Sequence, residues 1–242
     1  MDNTYAYLAS YLVEKILSLD PNERFLLGIA GIPGSGKSTL ALKVISLINQ
    51  KMENVSAMIP MDGFHYPKYV LDTFEARTIH DAEQAHARRG SYWTFDAEGL
   101  LELLKTLRQP IDPENPNVVK APSFEHAIGD PIKDDISILP SHKLVIFEGL
   151  YLLLTEPHPW DQIQKYMNEL WFIDVEIPIA KDRVILRHLA SGIAKHKEEA
   201  AQRFENNDKP NAEYILAHRA PPTRIIYSVE DQEEVQKMIN EI

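Results

Sequence analysis

The sequence predicts an α/β fold built on a parallel sheet, and three stretches predict it. Residues 25–30 form a continuous apolar run that leads straight into Gly31-Ile32-Pro33-Gly34-Ser35-Gly36-Lys37-Ser38. Residues 55–61 form a second short run that ends at Asp62-Gly63-Phe64-His65-Tyr66. Residues 144–147 form a third, closed by Glu148. Strands covered on both faces read as unbroken apolar runs, whereas half-exposed strands alternate. With 242 residues the chain is long enough for one sizeable domain with its own core, and a hydrophobic fraction of 44% excludes a disordered chain.

The elements follow in order. Tyr5, Leu8, Leu12 and Ile16 recur at helical spacing, and Asp20-Pro21 ends that helix; residues 1–20 are read as an N-terminal helix that packs on the sheet. After the first strand, Gly31 to Ser38 fits G-x-x-x-x-G-K-[ST], a phosphate-binding loop. Its glycines let the backbone curl so that successive N–H groups point at phosphate oxygens. Lys37 adds a point charge at the β- and γ-phosphates, and the hydroxyl of Ser38 is suited to Mg²⁺. Leu40, Val44 and Leu47 then mark a helix whose positive end faces the same anion. Gly31, Pro33, Gly34, Ser35, Gly36, Lys37, Ser38 and Thr39 are therefore the candidate nucleotide-binding residues. A glycine turn that binds nothing is the weaker reading, because strand, loop and helix stand in the order the motif requires.

In an open α/β sheet, ligands bind beyond the carboxyl ends of the strands. Asp62 stands there, although taken alone it reads more readily as a turn residue before Gly63. His80 and His86 lack the spacing of metal ligands. Arg88-Arg89-Gly90 precedes Tyr92, Trp93 and Phe95, so a basic pair beside aromatics is available to an anionic or ring-bearing substrate, or to an ordinary surface. Asp96 reads as the N-cap of a helix with Leu100, Leu104 and Leu107 on one face. Pro110, Pro113, Pro116 and Pro122 mark a loop leading to a strand around residues 117–120; His126 beside Glu125 reads as a surface residue.

Glu148 closes the third strand, where an acidic group is costly unless a cation compensates it. Residues 171–175 are another buried strand. Residues 179–193 are helical in pattern and set Arg183 and Arg187 one turn apart, as a lid over phosphates or as a charged surface helix. A polar helix follows over 198–205, a break and new helix over 206–211, and a last strand over 223–227; the tail from 229 is acidic.

Composition narrows the function. The net charge of 25 − 36 = −11 repels polyanions and argues against DNA or RNA as the main partner. No cysteine is present, which excludes disulfides, thiolate zinc sites and nucleophilic cysteines. The start lacks a basic n-region and an apolar h-region, and no apolar run approaches a membrane span, so a cytosolic protein without membrane partners is expected.

Together these residues resemble the uridine kinase, phosphoribulokinase and pantothenate kinase superfamily. Within it they resemble the group containing bacterial fructose-transport-system kinases and fungal uridine-kinase-like proteins. The resemblance runs from about residue 25 to 218. It rests on Gly31 to Thr39, Pro60-Met61-Asp62-Gly63-Phe64-His65, Arg89-Gly90 through Asp96, Phe147-Glu148-Gly149-Leu150-Tyr151-Leu152-Leu153-Leu154, Arg183 with Arg187, and Asn207-Asp208-Lys209-Pro210-Asn211. It implies a P-loop kinase domain over residues 1–242, with a five-stranded, mainly parallel sheet, helices on both faces and a small lid near 179–195. It implies ATP and Mg²⁺ as cofactors and a small-molecule phosphate acceptor. Asp62 would orient or deprotonate the acceptor hydroxyl, and Ser38 with Asp62 or Glu148 would hold Mg²⁺. Arg183 and Arg187 would neutralise the transferring group, and His65, Tyr66, Arg89 and Phe124 would border the acceptor pocket. The 207–211 segment is a family marker without a derived role. Uridine kinases usually carry Asp-Ser-Phe-Tyr and Pro-x-Tyr-Asp where this chain has Asp62-Gly63-Phe64-His65 and Pro122-Ser123-Phe124-Glu125, so the acceptor is left open among nucleosides, sugars and vitamin-like alcohols. The rival from another class is a nucleotide-binding switch or scaffold that hydrolyses ATP slowly. A monomer and a homodimer are both compatible with the sequence.

Overall fold

The computed structural model describes residues 2–73, 81–125 and 127–228. His80, His126 and the acidic tail lie outside the described residues. The chain runs α1 (Asp2–Leu17), β1 (Phe25–Gly31), α2 (Lys37–Lys51), β2 (Ser56–Pro60), a 3₁₀ turn (Met61–Phe64), α3 (Lys68–Leu71), α4 (Ala82–Ala87) and α5 (Ala97–Arg108). It continues through β3 (Val119–Glu125), β4 (Asp130–Ile138), β5 (Leu144–Gly149), α6 (Trp160–Ile163), β6 (Glu169–Asp174), α7 (Ile177–Ala190), α8 (Lys197–Arg203), a π-helical turn (Phe204–Asp208), α9 (Lys209–His218) and β7 (Arg224–Tyr227). Among the described residues no helix is long and apolar enough to cross a membrane.

The main sheet has five strands in the order β2-β5-β1-β6-β7, and every pair is parallel. Alternate residues of the central strands serve opposite faces. Phe25, Leu27 and Ile29 of β1, Leu144 and Ile146 of β5, and Trp171 and Ile173 of β6 join Leu8, Leu12, Leu40 and Val44 of α1 and α2 in one core. Leu26 and Ala30, Val145 and Phe147, and Leu170 and Phe172 join Leu100 and Leu104 of α5 in the other. The unbroken apolar runs are thus explained by two buried faces. Trp171 and Phe147 are fully buried, and truncating either to alanine would cost about 3–5 kcal/mol.

Three expectations needed correction. The strand expected around 117–120 is the start of an antiparallel hairpin, β3 paired with β4, separate from the main sheet. Its return strand, Asp130 to Ile138, is exposed through its charged middle and buried only at Ile138, so no continuous apolar run announced it. The ladder register shifts between Ala121 and Ser123, around Pro122, which has no N–H to donate. The helix expected over 179–193 is α7, which starts two residues earlier with Pro178 in its first turn, where proline is tolerated. The break expected over 206–211 does not occur: α8 passes through the π turn into α9, with Asn207 and Asn211 buried and Pro210 in the first turn of α9.

Candidate active site

The loop after β1 turns on glycine. Gly34 has φ of 79°, and a Cβ there would lie 2.5 Å from the carbonyl oxygen of Ala180 in α7. Only glycine permits both the left-handed backbone and that close approach. The next residues start α2 with Lys37, whose side chain is 7% exposed and whose Nζ donates to the Ile32 carbonyl at 3.1 Å. Ser38 Oγ donates to Glu148 Oε2 at 3.0 Å. Parallel pairing puts Glu148 opposite Ile29 of β1 and Pro60 of β2, so the carboxylate stands between the phosphate loop and the turn that carries Asp62.

Burial dominates the electrostatics here. It pushes the Glu148 carboxyl above the usual range; Lys37 pulls it back down, and Asp62 pushes it up further. Burial lowers the Lys37 ammonium, while Glu148 supports its charge and Arg187 opposes it. A partly desolvated carboxylate beside a serine hydroxyl and a second carboxylate is a hard-oxygen donor set of the kind Mg²⁺ takes. The Ser35 hydroxyl is buried beneath the same loop without a hydrogen-bond partner among the described residues. The loop therefore fits a triphosphate, and the Ser38, Asp62 and Glu148 oxygens fit a divalent cation.

A cavity of about 610 Å³ opens in front of these groups. Pro33, Gly34, Ser35, Gly36, Lys37, Ser38, Thr39, Asp62, Glu148, Arg183 and Arg187 line one part of it, and His65, Arg89 and Phe124 another. The Asp62 side chain is 45% exposed. Its main-chain oxygen accepts from the backbone N–H of His65 at 3.1 Å and stands 2.9 Å from the ring nitrogen of the same residue. The His65 ring sits between Phe95 and Phe124, with centroids 4.0 and 5.0 Å away.

Two predicted residues stand elsewhere. Gly31 lies behind the loop, where a Cβ would be 2.6 Å from Ser35 Oγ. Tyr66 lines a separate cleft of about 180 Å³ with Trp93, Phe95 and Trp160. Others have specific partners. Arg183 donates to Ser228 Oγ at 2.8 Å and to the Gly34 carbonyl at 3.3 Å, which braces the phosphate loop from behind. Arg89 donates to the Tyr66 carbonyl at 2.9 Å, to Asp130 at 2.6 Å and to the Gly129 carbonyl, so it ties the hairpin to the turn after β2.

Sequence reasoning missed Lys68, His188 and Arg203, which also line the cavity, and noted Asp208, which lines it too, without a role. His188 is 4% exposed, and its Nε2 lies 3.6 Å from Asp208 Oδ2. Burial, with Arg187 and Arg203 nearby, lowers the imidazole to about 4, and burial raises the Asp208 carboxyl. A lone histidine on a helix with an amphipathic pattern gave no signal of this pairing. Asn207 and Asn211 were noted without a role. Their amides donate to the carbonyls of Arg89 and Gly90, at 3.1 and 3.2 Å.

The chain is similar to known proteins over most of its length. The family model described as "Phosphoribulokinase / Uridine kinase family" matches residues 26–226. A Schizosaccharomyces pombe protein named "Putative uridine kinase C227.14" is 40% identical over 209 residues, which cover 86% of this chain and 85% of that protein. "ATP-dependent kinase YFH7" of Zygosaccharomyces rouxii is 30% identical over 234 residues, covering 86% of this chain and 59% of that longer protein. Among solved structures, a "putative fructose transport system kinase" from Silicibacter sp. TM1040 superposes with a TM-score of 0.76 at 27% identity, covering 92% of this chain and 98% of its own. YFH7 from Saccharomyces cerevisiae has a TM-score of 0.77 at 24% identity, covering 92% and 99%, a likeness of fold.

Proposed function

The chain belongs to the phosphoribulokinase/uridine kinase family, and from that premise we propose that it moves the γ-phosphate of ATP to a hydroxyl of a small metabolite. The observation that carries this reading is the shared cavity. The Lys37 amine, the Ser38–Glu148 pair and the Asp62 carboxylate open onto one space that also holds an aromatic and basic wall. A nucleotide switch needs the first three groups and has no use for an acceptor pocket beside them.

The transfer forms a bond between the acceptor oxygen and the γ-phosphorus and breaks the bridge to the β-phosphate, releasing ADP. Because such transfers have a loose transition state, positioning and charge do most of the work. Asp62 accepts a hydrogen bond from the acceptor hydroxyl and takes its proton as the bond forms. Lys37 holds the β- and γ-phosphate oxygens, and Arg187 faces the transferring group from the lid formed by α7 and α8. Arg183 keeps the loop in shape. Ser38, Glu148 and Asp62 would hold Mg²⁺, which when bound neutralises charge between the β- and γ-phosphates. His65, Arg89 and Phe124 shape the acceptor space. Nucleosides, sugars and vitamin-like alcohols are the candidate acceptors, with uridine one member of the set.

A coupled ADP-release screen over uridine, fructose, D-glycerate and pantothenate tests the reading. ADP formation that depends on one added alcohol is expected, and Asp62→Asn should cut it about a thousandfold. Slow ADP release indifferent to every alcohol would favour the switch instead, and near-normal transfer in Asp62→Asn would remove Asp62 from its role.

A further inference from the structure

The turn formed by Arg88, Arg89, Gly90 and Ser91 is held from outside. Gly90 has φ of 107°, a left-handed backbone that only glycine adopts at low cost. Its carbonyl accepts from Tyr151 OH at 2.6 Å and from Asn211 Nδ2 at 3.2 Å. The preceding carbonyl, of Arg89, accepts from Asn207 Nδ2 at 3.1 Å. Asn211 Oδ1 in turn accepts from Arg88 Nη2 at 3.1 Å and Ser91 Oγ at 3.0 Å. Both asparagines are buried, at 8% and 5% exposure. Each buried amide that leaves its partner unpaired is expensive to remove, so this network specifies one geometry for the turn.

Gly90, Asn207 and Asn211 themselves border the cavity, and Arg89 carries the same geometry along its wall. The Arg89 backbone is clamped by Asn207, and its guanidinium bridges Tyr66, Gly129 and Asp130. Asn207 also lies in the π turn, beside Asp208 and one helix away from Arg187. Short π segments inside helices recur at functional sites, because they re-aim side chains that a regular helix would point elsewhere. Here the π turn between α8 and α9 brings both asparagines onto the 88–91 turn.

We infer that Asn207 and Asn211 are positioning residues for the acceptor: they fix the Arg89–Gly90 turn, and through it the wall against which the acceptor alcohol is held, without contributing to nucleotide binding. The inference rests on the kinase reading above and deepens it. Asn211→Asp separates positioning from folding. The carboxylate still accepts from Arg88 and Ser91 but has lost the donor to the Gly90 carbonyl.

The test uses the full chain and compares wild type with Asn207→Ala, Asn211→Ala and Asn211→Asp. Hydrogen exchange read by mass spectrometry should rise about tenfold in residues 88–94 in each variant. Affinity for the non-hydrolysable analogue AMP-PNP with Mg²⁺, measured by calorimetry, should stay within about threefold. On whichever of uridine, fructose, D-glycerate or pantothenate the wild type phosphorylates, the KM for that alcohol should rise about tenfold or more while the KM for ATP holds. Unchanged exchange in 88–94, or equal losses in AMP-PNP affinity and acceptor KM, would overturn the inference. Turnover by the wild type without the KM split defeats the inference alone, whereas alcohol-independent ADP release by the wild type defeats the kinase reading beneath it.

Discussion

At the phosphate end of the cavity, one short loop supplies most of the lining, and charged side chains from other elements complete it, among them Glu148, 110 positions from its partner Ser38. The acceptor end is assembled from the turn after β2, the 88–91 turn, the hairpin and the π turn, with bonds spanning as many as 123 positions. Backbone curvature and the start of a helix do the work at the first end, so a few residue types at fixed spacing suffice. Side chains bonded to distant carbonyls do it at the second, so its shape depends on how four segments dock. The positions at which this chain departs from the uridine kinase pattern it resembles, Gly63, His65, Phe124 and Glu125, fall in the turn after β2 and in β3, at the second end.

The sharpest way to break this contrast is Lys37→Ala. Removing the charge from the loop should cut acceptor-dependent ADP release by about a thousandfold or more, with the circular dichroism spectrum unchanged. If transfer survived, the phosphate end would not be the common engine.

Acid should strike α7 next. His188 is neutral in the folded protein, with a pKa of about 4 against 6.5 for an exposed histidine. A depressed value means that the stability is fully present above 6.5 and is lost as pH falls towards 4, because the unfolded chain takes up the proton first. The loss is about 3 kcal/mol at most. Melting temperature measured from pH 7 to 4 should fall, and His188→Gln should flatten that limb. An unchanged slope in the variant would assign the acid sensitivity to other groups.

Gly63→Ala sharpens the contrast from the acceptor side. An added Cβ would stand 2.4 Å from the Pro122 carbonyl on β3, so the hairpin or the Asp62 turn has to move. Urea denaturation should report a loss of about 2 kcal/mol, and acceptor turnover should drop while AMP-PNP affinity stays near wild type. Equal damage at both ends would erase the distinction.

The smallest effect expected runs the other way. Burial holds the Glu148 carboxyl above its ordinary value, so its ionisation at neutral pH opposes folding. That stability is present below the ordinary carboxylate range and is lost as pH rises through the folded value. Glu148→Gln should therefore stabilise the nucleotide-free protein at pH 7, with the gain closing as the pH falls through the ordinary carboxylate range. The same variant should weaken Mg²⁺–ATP binding. A destabilised variant at pH 7 would mean that the Lys37 charge outweighs desolvation.

Much of the fold could be read in advance because its strands are buried on both faces. Residues 25–30, 144–147 and 171–173 admit no polar interruption, and that constraint is visible as an apolar run. Asp96 accepting from the Gly99 N–H at 2.9 Å is likewise a local cap that its own neighbours foretell. The hairpin escaped notice because β4 covers little apolar surface and carries Lys133, Asp134 and Asp135 through its middle. The continuous helix through Phe204 to Asp208 escaped because Asn-Asn-Asp-Lys-Pro has the composition of a turn. Burial of the two asparagines against carbonyls from residues 89 and 90 overrode that local preference.

What the amino-acid order determined by itself is the triphosphate cradle and the parallel sheet that presents it. Both are fixed by short-range rules: glycine where φ is positive, lysine and serine at the first helical turn, and apolar residues wherever two faces are covered. Only the tertiary structure decided that Arg89 braces a hairpin, that Arg183 braces the phosphate loop, that Tyr66 faces a different cleft and that Asn207 and Asn211 meet the carbonyls of Arg89 and Gly90. Such roles depend on which distant carbonyl meets which side chain, and polar residues in a sequence look the same whether water or a buried carbonyl is to be their partner.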